Sequence, residues 1–105
     1  MIPAPFSVHT TAAFDREFRK LAKHHRELID HYRNTLVILA NDPYNRSREH
    51  NIKKLEGVAP GDGQYRLRIQ RFRFRYDIKD RLVTRAALYE ELLSFSQAAG
   101  LVSDF

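Results

Sequence analysis

Between Gly63 and Leu88 arginine alternates with apolar residues, first in Tyr65-Arg66-Leu67-Arg68-Ile69 and again in Phe72-Arg73-Phe74-Arg75-Tyr76. A period of two is the pattern of a half-buried strand. The apolar residues are odd-numbered before Gln70-Arg71 and even-numbered after it (72, 74, 76, 78). A phase flip across two residues predicts a tight hairpin. Pairing outward from the turn sets Ile69 opposite Phe72, Leu67 opposite Phe74 and Tyr65 opposite Tyr76. The other face then carries Arg68 opposite Arg73 and Arg66 opposite Arg75. Like charges directly opposite one another destabilise a sheet, so a chain that keeps four guanidinium groups on one face is expected to use them on a polyanion.

The rest of the chain is patterned around this ribbon. Phe6, Val8 and Thr10 alternate in Pro5–Thr10 and predict a short first strand, and Thr10 or Thr11 supplies a hydroxyl cap for a helix. Phe14, Phe18, Leu21 and Ala22 share one face at helical spacing, with charged residues opposite. His24-His25-Arg26 marks a break. A second helix is expected to turn Leu28, Ile29, Tyr32, Leu36 and Leu39 inward and to stop at Asn41-Asp42-Pro43, because proline disfavours helix in the residue before it. Residues 43–60 read as a polar connection around the compact unit Ile52–Val58. After a turn near Lys79-Asp80, a third strand runs from Leu82 to Leu88, and Glu90–Ala99 predicts a last short helix that ends at Gly100. The order β-α-α-β-β-β-α predicts an α+β fold, a helical hairpin packed on a small, twisted, mainly antiparallel sheet. Residues 1–105 are expected to form a single domain.

Charge sharpens the picture because it is unevenly placed. Residues 46–85 hold twelve Lys/Arg against five Asp/Glu, whereas residues 86–105 hold none against three. Arginine outnumbers lysine thirteen to five, and arginine is the side chain that forks onto phosphate or carboxylate. Such a basic block is the electrostatic footprint of a nucleic-acid binder or of a protein with an acidic partner. Aromatic residues on the basic face would favour a general RNA-binding module, but the alternation places them on the opposite face. There is no cysteine, which excludes a disulfide framework and cysteine-ligated zinc. His24 and His31 are seven residues apart and too few to make a metal site. No apolar run approaches a membrane span and no signal-peptide pattern opens the chain, so a cytoplasmic protein without a membrane partner or cofactor is expected.

Several of these stretches, taken in order, resemble the RelE/ParE superfamily of bacterial toxins. They are the Phe14–Leu21 run (Phe-Asp-Arg-Glu-Phe-Arg-Lys-Leu), the Ile52-Lys-Lys-Leu-Glu-Gly57 turn, the Tyr65–Ile69 strand and the Phe72–Ile78 strand. The likeness extends from about Phe6 to about Tyr89. It implies the toxin of a type II toxin–antitoxin system, with an acidic antitoxin as partner and a toxin–antitoxin hetero-oligomer. In the RelE branch it further implies inhibition of translation by mRNA cleavage on the ribosome, through attack of a ribose 2′-hydroxyl on the adjacent phosphate.

By motif position the resemblance implies that Arg73 meets the scissile phosphate. Arg66 and Arg68 match the basic pair of the preceding strand, where RelE-like toxins carry lysine, and arginine does not deprotonate to act as a base. Lys53 and Lys54 match the basic turn that grips RNA backbone, and Arg75 and Arg85 add charge. The family's cation after the last strand is replaced by Tyr89-Glu90, and its later tyrosine by Ser94 or Phe95. Tyr89 is then the candidate for proton transfer by position. Three readings follow: a cleaving toxin in which Tyr89, Glu90 and a histidine form a different set, a ParE-like poison of DNA gyrase, or a catalytically impaired relative that only binds its antitoxin.

Overall fold

A computed structural model describes residues 5–91. Strand β1 (Ser7–Thr10) leads into helix α1 (Ala12–Ala22) and helix α2 (Leu28–Asn41), followed by β2 (Ile52–Lys54), β3 (Tyr65–Ile69), β4 (Phe72–Lys79) and β5 (Leu82–Glu90). The five strands form one sheet in the order β1-β5-β4-β3-β2. All neighbours are antiparallel except β1, which pairs parallel to β5. The fold is α+β, a two-helix layer on a mixed five-stranded sheet. No described helix is long and apolar enough to cross a membrane.

The hairpin read from the alternation forms in the expected register, with Tyr65 opposite Tyr76, Arg66 opposite Arg75, Leu67 opposite Phe74, Arg68 opposite Arg73 and Ile69 opposite Phe72. Gln70 and Asp80 open the two hairpin turns at φ of 53° and 55°. Thr11 is the cap of α1, its hydroxyl accepting the Phe14 N–H at 3.1 Å. The first strand is shorter than expected because the Phe6 N–H is given to the Ala40 carbonyl at the end of α2 rather than to the ladder.

Three differences have physical causes. Ile52–Lys54, expected within a polar connection, pairs with β3, because three residues suffice to satisfy the otherwise open edge of that strand. Ile29 is 44% exposed, since the inward stripe of α2 runs through Leu28, His31, Thr35 and Leu39. Of the polar members of that stripe, the Thr35 hydroxyl donates to the Tyr32 carbonyl at 2.7 Å, while the His31 ring packs on Phe72 with its Nε2 buried and without a hydrogen-bond partner among the described residues. Glu90 belongs to β5, paired with Phe72, and the remainder of the expected last helix lies outside the described residues.

The core is Phe14, Leu28 and Leu39 from the helices against Leu67, Phe72, Phe74, Tyr76, Val83 and Leu88 from the sheet. Tyr76 is fully buried, and its hydroxyl donates to the Pro43 carbonyl at 2.7 Å. Burial pushes this phenol far above the ordinary tyrosine range, with Tyr65 and Asp42 adding to the effect, so it stays protonated as a fixed structural donor.

Strand β5 carries the feature that sorts side chains between the two faces of the sheet. Arg75 pairs with Ala87 but Tyr76 pairs with Arg85, which leaves Ala86 as an extra residue in a β-bulge. Before the bulge Val83 and Arg85 point under the helices, and after it Leu88 does. Arg85 is therefore 2% exposed, its guanidinium carbon 4.6 Å from the Tyr32 ring centre and 5.1 Å from that of Phe14. This corrects its expected place among the phosphate-binding cations. Its polar contacts are long, 3.5 Å to the His9 carbonyl and 3.4 Å to the Tyr32 hydroxyl, and one terminal nitrogen has no hydrogen-bond partner.

Three stability predictions follow from this packing. Gly63 sits at φ 82°, and an added Cβ would lie 2.7 Å from the Arg75 Cβ. Gly63→Ala is expected to cost roughly 2 kcal/mol or more, from left-handed strain and overpacking together, measured by urea unfolding. Arg85→Ala should cost about 2–4 kcal/mol by opening a void between two aromatic rings. Arg85→Met, which fills that space without burying an incompletely bonded charge, should unfold at the wild-type midpoint or above it.

Candidate nucleic-acid interface

The sheet face turned away from the helices is cationic because the pleat sends alternate side chains to it. Two cross-strand rows stand on it. Lys53, Arg66 and Arg75 align across β2, β3 and β4, and Arg68, Arg73 and Tyr89 align across β3, β4 and β5. Neighbouring strands lie about 4.8 Å apart and alternate residues about 6.7 Å apart along a strand, so five cations and a phenol share a patch on the order of 10 Å across. Lys53 and Arg68 are exposed, and Arg66 and Arg75 are half-buried. Among the described residues, no carboxylate forms an ion pair with any of these four.

Arg75 is held by its own surroundings. Its Nε donates to the Gly63 carbonyl at 3.1 Å, while the Asp77 carboxylate, two residues along β4, accepts the N–H groups of Gly63 and Gln64 at 2.9 and 3.0 Å. The turn before β3 is thus tied down on the cationic face by one cation and one anion of β4. Lys54 does not join the face. Alternation turns it to the side of Tyr65, where its ammonium lies 5.8 Å from the ring centre, so the two lysines of the basic turn part company.

Arg73 departs most from expectation. An outward arginine with little packing is what the alternation suggests, but Arg73 is only 5% exposed. Its Nη1 donates to the Gln70 and Phe72 carbonyls at 2.8 and 3.3 Å, and its Nε donates to Glu91 Oε1 at 2.9 Å. The guanidinium is laid back along its own strand toward the hairpin turn. Its loss would therefore disturb structure as well as charge, unlike the loss of Arg68. Tyr89, directly opposite Arg73, is 37% exposed and is the solvent-accessible phenol of this row.

The carboxylates that follow Tyr89 separate. Glu90 turns to the helix side, where Oε1 lies 3.2 Å from His25 Nε2 and Oε2 lies 3.5 Å from an Arg71 nitrogen. Glu27 closes the same cluster, 3.6 Å from His25 Nδ1 and 3.4 Å from Arg71. The Glu27 carboxyl is held below the usual range first by a hydrogen bond from its own backbone and then by His25, Arg71 and His31. The structure does bring Glu90 and a histidine together, but on the face away from Arg73 and Tyr89. Glu91 is the carboxylate that meets Arg73. It was missed in the sequence because residues 90–99 carry a helical pattern, which hides the strand parity that sends Glu90 and Glu91 to opposite sides.

No family model matches the sequence, and comparison with curated proteins finds no match. Among solved structures the chain is similar to the archaeal RelE–RelB complex from Pyrococcus horikoshii OT3, with a TM-score of 0.55 and 23% identity over 82% of this chain and 94% of that one. At that identity the likeness is one of architecture: the two helices on a five-stranded mixed sheet make a RelE-like fold.

Proposed function

We propose that this chain is the toxin of a toxin–antitoxin pair and that it inhibits translation by cutting mRNA on the ribosome. The observation that carries the reading is the pair of cation rows on the open sheet face, in a fold shared with a protein solved as a RelE–RelB complex. Four cations there have no described carboxylate partner, and they stand beside a buried arginine and an accessible phenol. That inventory suits a phosphodiester. Guanidinium groups compensate the charge that grows on phosphorus during attack by a 2′-hydroxyl, and a phenol at the end of the row is placed to protonate the leaving oxygen. Lys53, Arg66 and Arg75 extend the face along the strand direction and hold the flanking backbone. The partner is an acidic antitoxin whose carboxylates neutralise the same face.

Induced expression in bacteria, with mRNA 5′ ends mapped and DNA supercoiling followed, tests the activity. Cuts inside translated codons are expected. Intact mRNA with gyrase-type DNA damage would move the chain to the ParE-like reading, and neither effect would leave a protein that only binds its antitoxin. A second test concerns the charge. Arg68→Ala removes an exposed cation without disturbing packing, so stability should change by no more than about 0.5 kcal/mol. The salt dependence of binding to ribosome-bound mRNA should lose roughly one unit of log–log slope. An unchanged slope removes Arg68 from the interface.

A further inference from the structure

The cationic face supplies charge compensation and a phenol, but arginine does not accept a proton at working pH. Attack by a 2′-hydroxyl needs a base, and the described groups can be compared by position. His25 and Glu90 face each other at 3.2 Å on the helix side, behind the sheet. Tyr76 is buried, and its hydroxyl is engaged as hydrogen-bond donor to the Pro43 carbonyl. Asp77 is committed to two backbone N–H groups at the far end of β4. Glu91 alone among the described carboxylates stands at the row of Arg68, Arg73 and Tyr89, with one oxygen 2.9 Å from Arg73 Nε and a side chain that is 47% exposed.

We propose that Glu91 is the general base of the cleavage reaction, paired through Arg73 to the phosphate that is attacked. The inference rests on the reading of the chain as an mRNA-cleaving toxin. In the step it describes, the ribose 2′-oxygen forms a bond to phosphorus while its proton passes to a Glu91 carboxylate oxygen. The bond from phosphorus to the 5′-oxygen breaks, and that oxygen takes the hydroxyl proton of Tyr89. The products are a 2′,3′-cyclic phosphate and a 5′-hydroxyl end. Glu91 returns its proton to solvent and Tyr89 regains one. Arg73 Nε fixes the carboxylate against rotation, and its charge, with that of Arg68, offsets the charge on the phosphorane. Holding base and phosphate on one guanidinium sets both reacting partners from a single anchor, which is the positional economy that general acid–base catalysis requires.

The test uses the purified full chain on ribosomes programmed with labelled mRNA, under single-turnover conditions across a pH series. Wild type, Glu91→Gln and Glu91→Asp are compared, with binding to the same ribosomes measured in parallel. The amide oxygen of Gln still accepts from Arg73 Nε but does not take a proton. Wild type is expected to show an acid limb on which the rate rises about tenfold per pH unit, and Glu91→Gln should lose that limb and at least about 100-fold in rate while binding is retained. Glu91→Asp should keep the acid limb at a reduced rate. A Gln variant that cuts at the wild-type rate, or faster, overturns the base role and leaves the cleavage reading standing. A slow Gln variant that keeps the acid limb also overturns it, and makes Glu91 a positioning residue for Arg73. If wild type does not cut mRNA at all, both readings fall together.

Discussion

Burial of Leu67, Phe72, Phe74 and Tyr76 under the helical hairpin is the interaction on which the remaining arrangement depends. Each of these side chains is essentially inaccessible, and full burial of a residue of this size stabilises by about 1.5–3 kcal/mol. The pleat then dictates that Arg66, Arg68, Arg73 and Arg75 stand on the other face. Setting Arg66 against Arg75 and Arg68 against Arg73 costs some tenths of a kcal/mol per pair in exposed surroundings. The hydrophobic term exceeds the repulsion several-fold, so the hairpin is locked in register. A slip by one residue would expose three aromatic rings and drive guanidinium groups under the helices. Core packing thus accounts for where the cationic face lies but not for its composition, since threonine or glutamine at the same positions would satisfy the pleat without the repulsion.

Elements whose side chains obey a single uninterrupted period were legible from the amino-acid order. The β3–β4 hairpin, a threonine cap at position 10 or 11 and the two helices follow from spacing alone, because each is a local pattern with a local energetic reason. The face of Arg85 was not read, although a signal was present. Val83 and Leu88 are both apolar and five residues apart, so a regular strand would expose one of them, and only an inserted residue between them lets both reach the core. The bulge at Ala86 is that residue, and it turns everything before it to the face opposite the one a regular strand ending at Leu88 would give. Ile29 misled for a related reason: a buried histidine and threonine on α2 carry part of the inward stripe, so hydrophobicity alone points to the wrong neighbour. Strand β2 is short and lysine-rich, and its pairing is dictated by the edge of β3 rather than by its own composition.

The candidate site was partly legible for the same reasons. Cations on a regular strand could be assigned to a face, and Arg66, Arg68 and Arg75 stand where the alternation put them, whereas Lys53 reaches that face through the pairing of β2 with β3. What alternation does not reveal is how a side chain lies once it has reached a face. Arg73 folds back onto the carbonyls of Gln70 and Phe72 through Nη1, and only a three-dimensional arrangement shows that its Nε is met by Glu91.

The end of β5 shows how one strand serves two layers. Glu90 and Glu91 are adjacent, chemically alike and separated only by parity. Glu90 joins Arg71 of the hairpin turn to His25 in the α1–α2 connection, and Glu27 repeats both contacts, so this end of the helical layer is tied to the tip of the β3–β4 hairpin. The same turn supplies the Gln70 carbonyl that holds Arg73. Any movement of the helices relative to the hairpin tip would therefore be transmitted, through Arg71 and Gln70, to the guanidinium that Glu91 binds on the far face. A site built from long, flexible arginines gains definition in this way: the carboxylate on the helix side fixes the turn, the turn fixes Arg73, and Arg73 fixes the carboxylate on the open side. Preorganisation of this kind, with charged groups held before the substrate arrives, is what makes a cationic face capable of more than retaining a polyanion.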